Sequence, residues 1–243
     1  MTEILRVEGV RKLFGGVTAV NSVSFAIERA SITGLIGPNG SGKTTLFNLI
    51  AGTIPPDRGD VLLEGQRITG LAPHRITARG LARSFQLSRV FGQMTALENL
   101  IVVARGESDA AARLRAKGLI EQVGLDEHRD TWGAELSFGQ RRLLEFARVL
   151  MLRPKLVLLD EPFAGINPTM AQTMVRLIRE LRESGATIFL VDHAMTIVME
   201  LCERILVLDM GELIADAPPD AVQRDERVLE AYFGRARVEE ATP

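Results

Sequence analysis

At 243 residues, 46% of them apolar and 25% charged, the chain can bury a substantial core as one large α/β domain or one domain with an insertion, and extended disorder is excluded. Its 29 basic and 31 acidic side chains leave a formal charge of -2, which gives no general field for gripping a phosphate polymer, so no nucleic-acid partner is expected. Cys202 is the single cysteine, which rules out an intrachain disulfide or a thiolate metal cluster and reads as a small buried apolar side chain in a cytosolic protein.

Met1 to Val10 alternates charged and apolar residues and lacks the apolar centre of a secretion signal. The longest stretch free of Asp, Glu, Lys and Arg, Leu13 to Ile27, is interrupted by Gly, Ser, Thr and Asn, and a bilayer span needs about 20 mostly apolar residues. The chain is therefore expected to stay in the cytoplasm. Period-two alternation marks Leu5–Val10 and Ser22–Ile27 as half-buried strands, with Gly15-Gly16 as the turn between them.

Ser31–Ile36 reads as an apolar strand leading into Gly37-Pro38-Asn39-Gly40-Ser41-Gly42-Lys43-Thr44, after which Thr44 to Ile50 reads as a helix. The loop fits G-x-x-x-x-G-K-[ST] in the strand-loop-helix setting that this motif requires. Its glycines let successive backbone N–H groups face an anion, and the helix N-terminus adds a partial positive charge beneath it. Lys43 is suited to the outer phosphates of a nucleotide, and the Thr44 hydroxyl to Mg²⁺.

Val61-Leu62-Leu63 before Gly65 suggests another short strand, and Pro73 to Leu81 resumes helical spacing. From Ser88 to Leu136 the strand pattern gives way to Ala, Arg, Glu and Leu, as in Ala110 to Lys117, which reads as a helical insertion. Buried-strand patterns return at Leu156–Leu159, Thr187–Val191 and Arg204–Leu208, with helices at Pro168–Ser184 and Ala194–Cys202. Such alternation predicts a mostly parallel sheet covered on both faces. The polar tail after Gly234 is expected to fray.

Leu156–Leu159 ends in Asp160-Glu161, two carboxylates at the C-terminal edge of a parallel sheet, where ligands of such folds collect. Asp160 is assigned to metal, opposite Thr44, and Glu161 to taking a proton from an attacking water. Successive strand side chains point to opposite faces, so both serve one site only if the strand ends there. By itself this pair would be a charged strand-to-turn junction; following a phosphate loop it reads as the companion site.

Leu136-Ser137-Phe138-Gly139-Gln140, with Ser137 lying 23 residues before Asp160, resembles the L-S-G-G-Q signature of ABC ATPases. Other segments follow that family's order. Phe14 is similar to its adenine-stacking aromatic, Gln86 to its Q-loop glutamine, Ala164-Gly165-Ile166-Asn167 to its D-loop and His193 to its switch histidine. The resemblance covers Ile4 to about Gly234. Within the family, Phe14–Val20, Arg83-Ser84-Phe85-Gln86 and Glu230-Ala231-Tyr232-Phe233-Gly234 resemble the branched-chain amino-acid uptake ATPases.

The resemblance implies an α/β fold of the P-loop NTPase ABC-ATPase type, with a mostly parallel core sheet, an N-terminal antiparallel β subdomain and an inserted helical subdomain. The implied division is 1–87 with 141–234 as nucleotide-binding core, 88–140 as the helical signature subdomain and 235–243 as a flexible tail. It also implies that ATP with Mg²⁺ lies between two ATPase subunits, identical or paralogous, with the phosphate loop of one facing the signature of the other. On this basis Phe14, Val20, Asn39, Gly40, Ser41, Gly42, Lys43, Thr44, Thr45, Ser137, Gly139 and Gln140 contact nucleotide. Thr44, Gln86 and Asp160 serve the metal, and Glu161, His193, Gln86 and Lys43 serve hydrolysis. Ser137 before a helical run is also a good N-cap in any protein.

The implied partners are integral membrane permease subunits, a second ATPase subunit and, indirectly, a periplasmic or extracellular solute-binding protein. The implied location is the inner face of the cell membrane. Urea, short-amide or lipopolysaccharide transport, and a soluble non-transport ATPase, stay as alternatives. The sequence departs from the family pattern at Phe138, at Asn167 and Ala194 where Asp is common, and at Asp192 where Glu is common. Loss of a carboxylate at Ala194 puts part of the coupling between switch and dimer in question.

Overall fold

The computed structural model describes residues 2–84 and 90–233; Gln86, Phe85 and Gly234 with the tail 235–243 lie outside the described residues. Strands β1 (Glu3–Phe14) and β2 (Val17–Glu28) form an antiparallel hairpin about Gly15-Gly16, longer than the sequence pattern indicated at both strands. After β3 (Ile32–Ile36) and helix α1 (Lys43–Ile50), strands β4 (Arg58–Leu63) and β5 (Gln66–Arg67) turn through Glu64 and Gly65, both at positive φ (51° and 74°). Two left-handed residues match the twist of a tight hairpin.

Helix α2 (Pro73–Thr77) is shorter than expected, because Leu81 belongs to strand β6 (Leu81–Arg83) rather than to a helix. Gly80, at φ 100°, breaks the helical run, and its carbonyl accepts from Lys155 N at 2.8 Å and Leu156 N at 3.1 Å. These bonds draw the next three residues alongside a neighbouring strand. A strand that short carries no readable period in sequence.

The insertion holds α3 (Ala96–Ile101) and α4 (Asp109–Gln122), followed by α5 (Phe138–Met151), and these three pack together. Thr95 and Glu98 close a capping box on α3, and Ser108 caps α4. The remaining elements are β7 (Leu156–Asp160), α6 (Pro168–Glu183), β8 (Thr187–Val191), α7 (Met195–Leu201), β9 (Arg204–Asp209), β10 (Glu212–Ala217), α8 (Pro219–Val222) and α9 (Glu226–Phe233).

One sheet has the order β2-β1-β4-β5 and is antiparallel; the other has the order β10-β9-β3-β8-β7-β6. In the second sheet every pair from β9 to β6 is parallel, and only the edge strand β10, which the sequence reading did not anticipate, runs antiparallel. This is the α/β architecture with an antiparallel β subdomain and a mostly parallel core sheet.

Alternate residues of the central strands enter two different cores. Val157, Leu159, Ile188 and Leu190 join the helices α3 to α7 on one face, while Leu156, Leu158, Phe189 and Val191 meet α1 and the antiparallel sheet on the other. Phe189 anchors the second core, its ring centroid 5.0 Å from that of Phe47 on α1 and 5.6 Å from that of Phe25 on β2. Covering both faces explains why these strands read as unbroken apolar runs, and it holds their C-terminal ends together at one edge. No helix among the described residues is long and apolar enough to cross a membrane.

Candidate functional site

The phosphate loop joins β3 to α1 across a backbone that only glycine permits at two points. A Cβ on Gly37 (φ 153°) would lie 2.0 Å from Leu208 O, and one on Gly42 (φ 105°) 2.2 Å from Ala19 O. Gly42 caps α1 without any side-chain hydrogen bond. The first N–H groups of that helix therefore face the loop instead of a capping side chain.

Within the loop the Lys43 ammonium donates to Gly37 O at 2.7 Å and Pro38 O at 2.8 Å, with Ser41 Oγ at 3.4 Å. Burial pulls the Lys43 pKa below the usual amine value, while the charge of Glu161 acts in the opposite sense. A cation held by carbonyls and a hydroxyl is in position to exchange those weak acceptors for phosphate oxygens.

A cavity of about 540 Å³ opens over this loop. Asn39, Gly40, Gly42, Lys43, Thr44 and Thr45 form its floor, and Glu161 and His193 part of its wall. Ser41 is buried and lines a neighbouring cavity rather than this one. Asp160 and Glu161 diverge because β7 ends at Asp160 and Glu161 adopts φ 51°. Asp160 is 2% exposed, and its side chain is held by Arg83 rather than lining the cavity. Glu161 turns into the cavity, where its Oε1 stands 3.4 Å from His193 Nε2.

The turn after β8 is built by Asp192. Its Oδ2 accepts from Phe163 N at 2.9 Å and its Oδ1 from Ala194 N at 2.8 Å, tying together the loops that carry Glu161 and His193. Burial raises the Asp192 pKa above the ordinary carboxylate value, partly offset by these backbone donors. Ala194 therefore has its N–H satisfied by Asp192, and Asn167 caps α6 by accepting from Met170 N at 2.9 Å.

Other predicted residues lie elsewhere. Phe14 stands half exposed at the end of β1, with the Lys12 ammonium 5.6 Å from its ring centroid. Val20 is fully buried in the core, so the expectation that it contacts a ligand is corrected: β2 alternation turns it inward, and Val17, Thr18 and Ala19 line the cavity instead. Gln86 lies outside the described residues.

Ser137, Gly139 and Gln140 open α5 and do not line this cavity. Ser137 Oγ accepts from Gln140 N, and the Gln140 side chain accepts from Ser137 N at 2.8 Å, a complete capping box. Because the Ser137 oxygen accepts in this cap, its own proton stays available to donate to another oxygen. The neighbouring Phe138 ring lies against Gly165, so a Cβ there would come within 2.8 Å of it.

Met210 and Arg83 join the site without any local sequence signal that marks them for it. Met210 sits at φ 45° in the β9–β10 turn and forms part of the cavity wall. Gly211 N in that turn donates to Ser41 O at 2.9 Å, and Asn21 N donates to Gly211 O at 2.8 Å. The dipeptide Met210-Gly211 is a turn signal, but nothing local points it at the phosphate loop.

A family model described as ABC transporter matches residues 20–164, and one described as branched-chain amino acid ATP-binding cassette transporter matches 212–238. The high-affinity branched-chain amino acid transport ATP-binding protein BraF of Pseudomonas aeruginosa is 38% identical, over 96% of this chain and 98% of the relative. The structure of a nucleotide-free ATP-binding cassette from an ABC transporter superposes with a TM-score of 0.87 at 33% identity, covering 96% of this chain and 100% of the other. A dimeric post-hydrolysis cassette bound to ADP and phosphate gives 0.80 at 25% identity, covering 89% and 99%. A family model matching more than half of the sequence and a relative aligned over nearly all of it establish that the chain belongs to the ABC transporter family, as an ATP-binding and ATP-hydrolysing subunit.

Proposed function

We propose that the chain powers uptake of branched-chain or other amino acids, working as a pair of ATPase subunits docked on separate permease subunits at the inner face of the cell membrane. The similarity of residues 212–238 to the branched-chain cassette model and the overall similarity to BraF support that cargo. A solute-binding protein outside the membrane would name the solute. We further propose that 1–87 with 141–234 act as the nucleotide-binding core, 88–140 as the signature-bearing insert and 235–243 as a tail.

In this reading the triphosphate of ATP lies over Asn39 to Thr45, with Lys43 meeting its outer oxygens and the Phe14 ring available to the base. Thr44, Asp160 and Gln86 offer hard oxygen donors for Mg²⁺. Among the described residues no group of three or more His, Cys, Asp or Glu could hold a metal ion alone. That donor set fits an ion completing its shell with substrate phosphates and water, as Mg²⁺ does. When bound, Mg²⁺ would neutralise charge on the phosphates. Glu161 takes the proton of the attacking water, and His193 donates a hydrogen bond to the γ-phosphate and helps to orient that water. Ser137, Gly139 and Gln140 of a second subunit close on the triphosphate from above.

The single observation behind this reading is that Lys43, Thr44, Glu161 and His193 share one cavity while the Ser137 end of α5 stands outside it. A Glu161→Gln variant should bind ATP, double in mass by light scattering when ATP is added, and release no phosphate. Parent-like turnover in that variant would remove Glu161 as the base. A mass that stays single at saturating ATP would remove the paired arrangement.

A further inference from the structure

Arg83 ends strand β6, and its guanidinium is nearly enclosed, with the side chain 11% exposed. Nη2 donates to Asp160 Oδ2 at 2.8 Å, and Nη1 donates to Asn48 Oδ1 at 2.6 Å. Asn48 lies one helical turn beyond Thr44 on α1, so the two residues share a helix face. The backbone on each side is fixed as well: Ser84 N donates to Leu158 O at 2.9 Å, and Asp160 N donates to Ser84 Oγ at 3.1 Å. One planar fork thus joins the helix that carries Thr44 to the strand end that carries Asp160.

We propose that Arg83 is a positioning residue for the metal half of the site, fixing the Asp160 carboxylate through Oδ2 and leaving Oδ1 as the oxygen that would serve the ion. This rests on the reading of Asp160 as a metal carboxylate. The physical reason is the cost of a buried anion. Asp160, 2% exposed, needs a compensating cation before any metal arrives, and Arg83 supplies it through a geometry that also restricts the carboxylate rotamer. Outer partners of this kind orient metal ligands without touching the metal. Lysine at this position would keep the charge but could not hold Asp160 and Asn48 together in one plane.

The test is the coupling between metal and nucleotide, read as the ratio of the Kd for a non-hydrolysable ATP analogue in EDTA to its Kd in excess Mg²⁺, on the full chain. In Arg83→Gln this ratio falls about tenfold toward one, as loss of an outer-shell partner does, while the Kd in EDTA stays at the parent value. Arg83→Lys recovers part of the ratio, and Asp160→Asn lowers it as Arg83→Gln does. A parent-like ratio in Arg83→Gln beside a lowered one in Asp160→Asn overturns the positioning role and leaves Asp160 at the metal. A parent-like ratio in Asp160→Asn overturns the metal reading and the inference with it. Equal weakening of both Kd values in Arg83→Gln shows support of the fold alone and also overturns it. If Arg83→Gln does not fold, Asn48→Ala, which removes only the second anchor of the fork, is judged by the same two Kd values.

Discussion

His193 Nε2 stands 3.4 Å from Glu161 Oε1, a contact between the loops that leave two neighbouring parallel strands. β7 and β8 run in register, with Asp160 opposite Val191, and Glu161 N donates to Val191 O at 2.7 Å. One residue past that pair the chains separate, and the two side chains enter the same cavity. A carboxylate and an imidazole are thus supplied to one cavity by adjacent strand ends, the pair that the proposed hydrolysis would use.

Replacing His193 by alanine is expected to lower turnover about 100-fold while ATP affinity is retained, because losing one positioned hydrogen-bond donor to developing charge typically costs about that much. Phosphate release compared with a nucleotide-binding titration checks it. Turnover at the parent rate would exclude His193 from the reaction.

The phosphate-loop glycines should differ in what they tolerate. At Gly40 an added Cβ meets nothing within 4 Å, so Gly40→Ala bears only the strain of its φ of 81°; left-handed backbone costs an L-residue about 1–2 kcal/mol. At Gly42 the Cβ would also meet the Ala19 carbonyl at 2.2 Å, so Gly42→Ala is expected to be clearly less stable than Gly40→Ala in urea. Equal unfolding midpoints would remove the steric account.

Asp192→Ala deprives the buried Phe163 N and the partly buried Ala194 N of their acceptor, and a buried donor left unmatched costs about 1–3 kcal/mol. Burial raises the Asp192 pKa above its ordinary 3.8, so the folded chain holds that proton more tightly than the unfolded one. The linked contribution is therefore full below pH 3.8 and is lost as pH rises through the folded value. Urea curves at two pH values should show a larger gap between parent and variant in acid.

Cys202 is buried, and desolvation pushes its thiol pKa up from 9.0 to about 12. At pH 8 about one thiol in 10⁴ is then ionised, so a thiol-specific reagent should label the chain slowly when folded and rapidly in denaturant. The unfolded thiol ionises first, so this group's contribution to stability declines between pH 9 and about 12. Fast labelling of the folded chain would contradict its burial.

Much of the cavity was legible because its parts are contiguous. Gly37 to Thr44 announces itself between a strand and a helix, and Asp160-Glu161 closes an apolar run that fits a central strand buried on both faces. The Ser137–Gln140 segment was readable both as a family signature and as a helix cap, and the cap is present. Val20 was misplaced because family position does not report which face of a strand meets the core. Strand β6 was hidden because three residues show no period, and β10 because its burial is partial.

The sequence by itself determined that this chain has a phosphate loop and a two-carboxylate strand end, since each is written in local spacing that the backbone geometry of a turn, a strand or a helix start demands, and it carried the resemblance that implied the other ATPase motifs. The tertiary structure alone decided which of these meet. Strand order β3-β8-β7-β6 sets Glu161 beside His193 and Asp160 beside Arg83, and the β9–β10 turn brings Met210 over the loop. Neighbours in a parallel sheet are separated in sequence by whole crossover segments, so their side-chain pairing is fixed by packing both faces of the sheet and not by any local pattern.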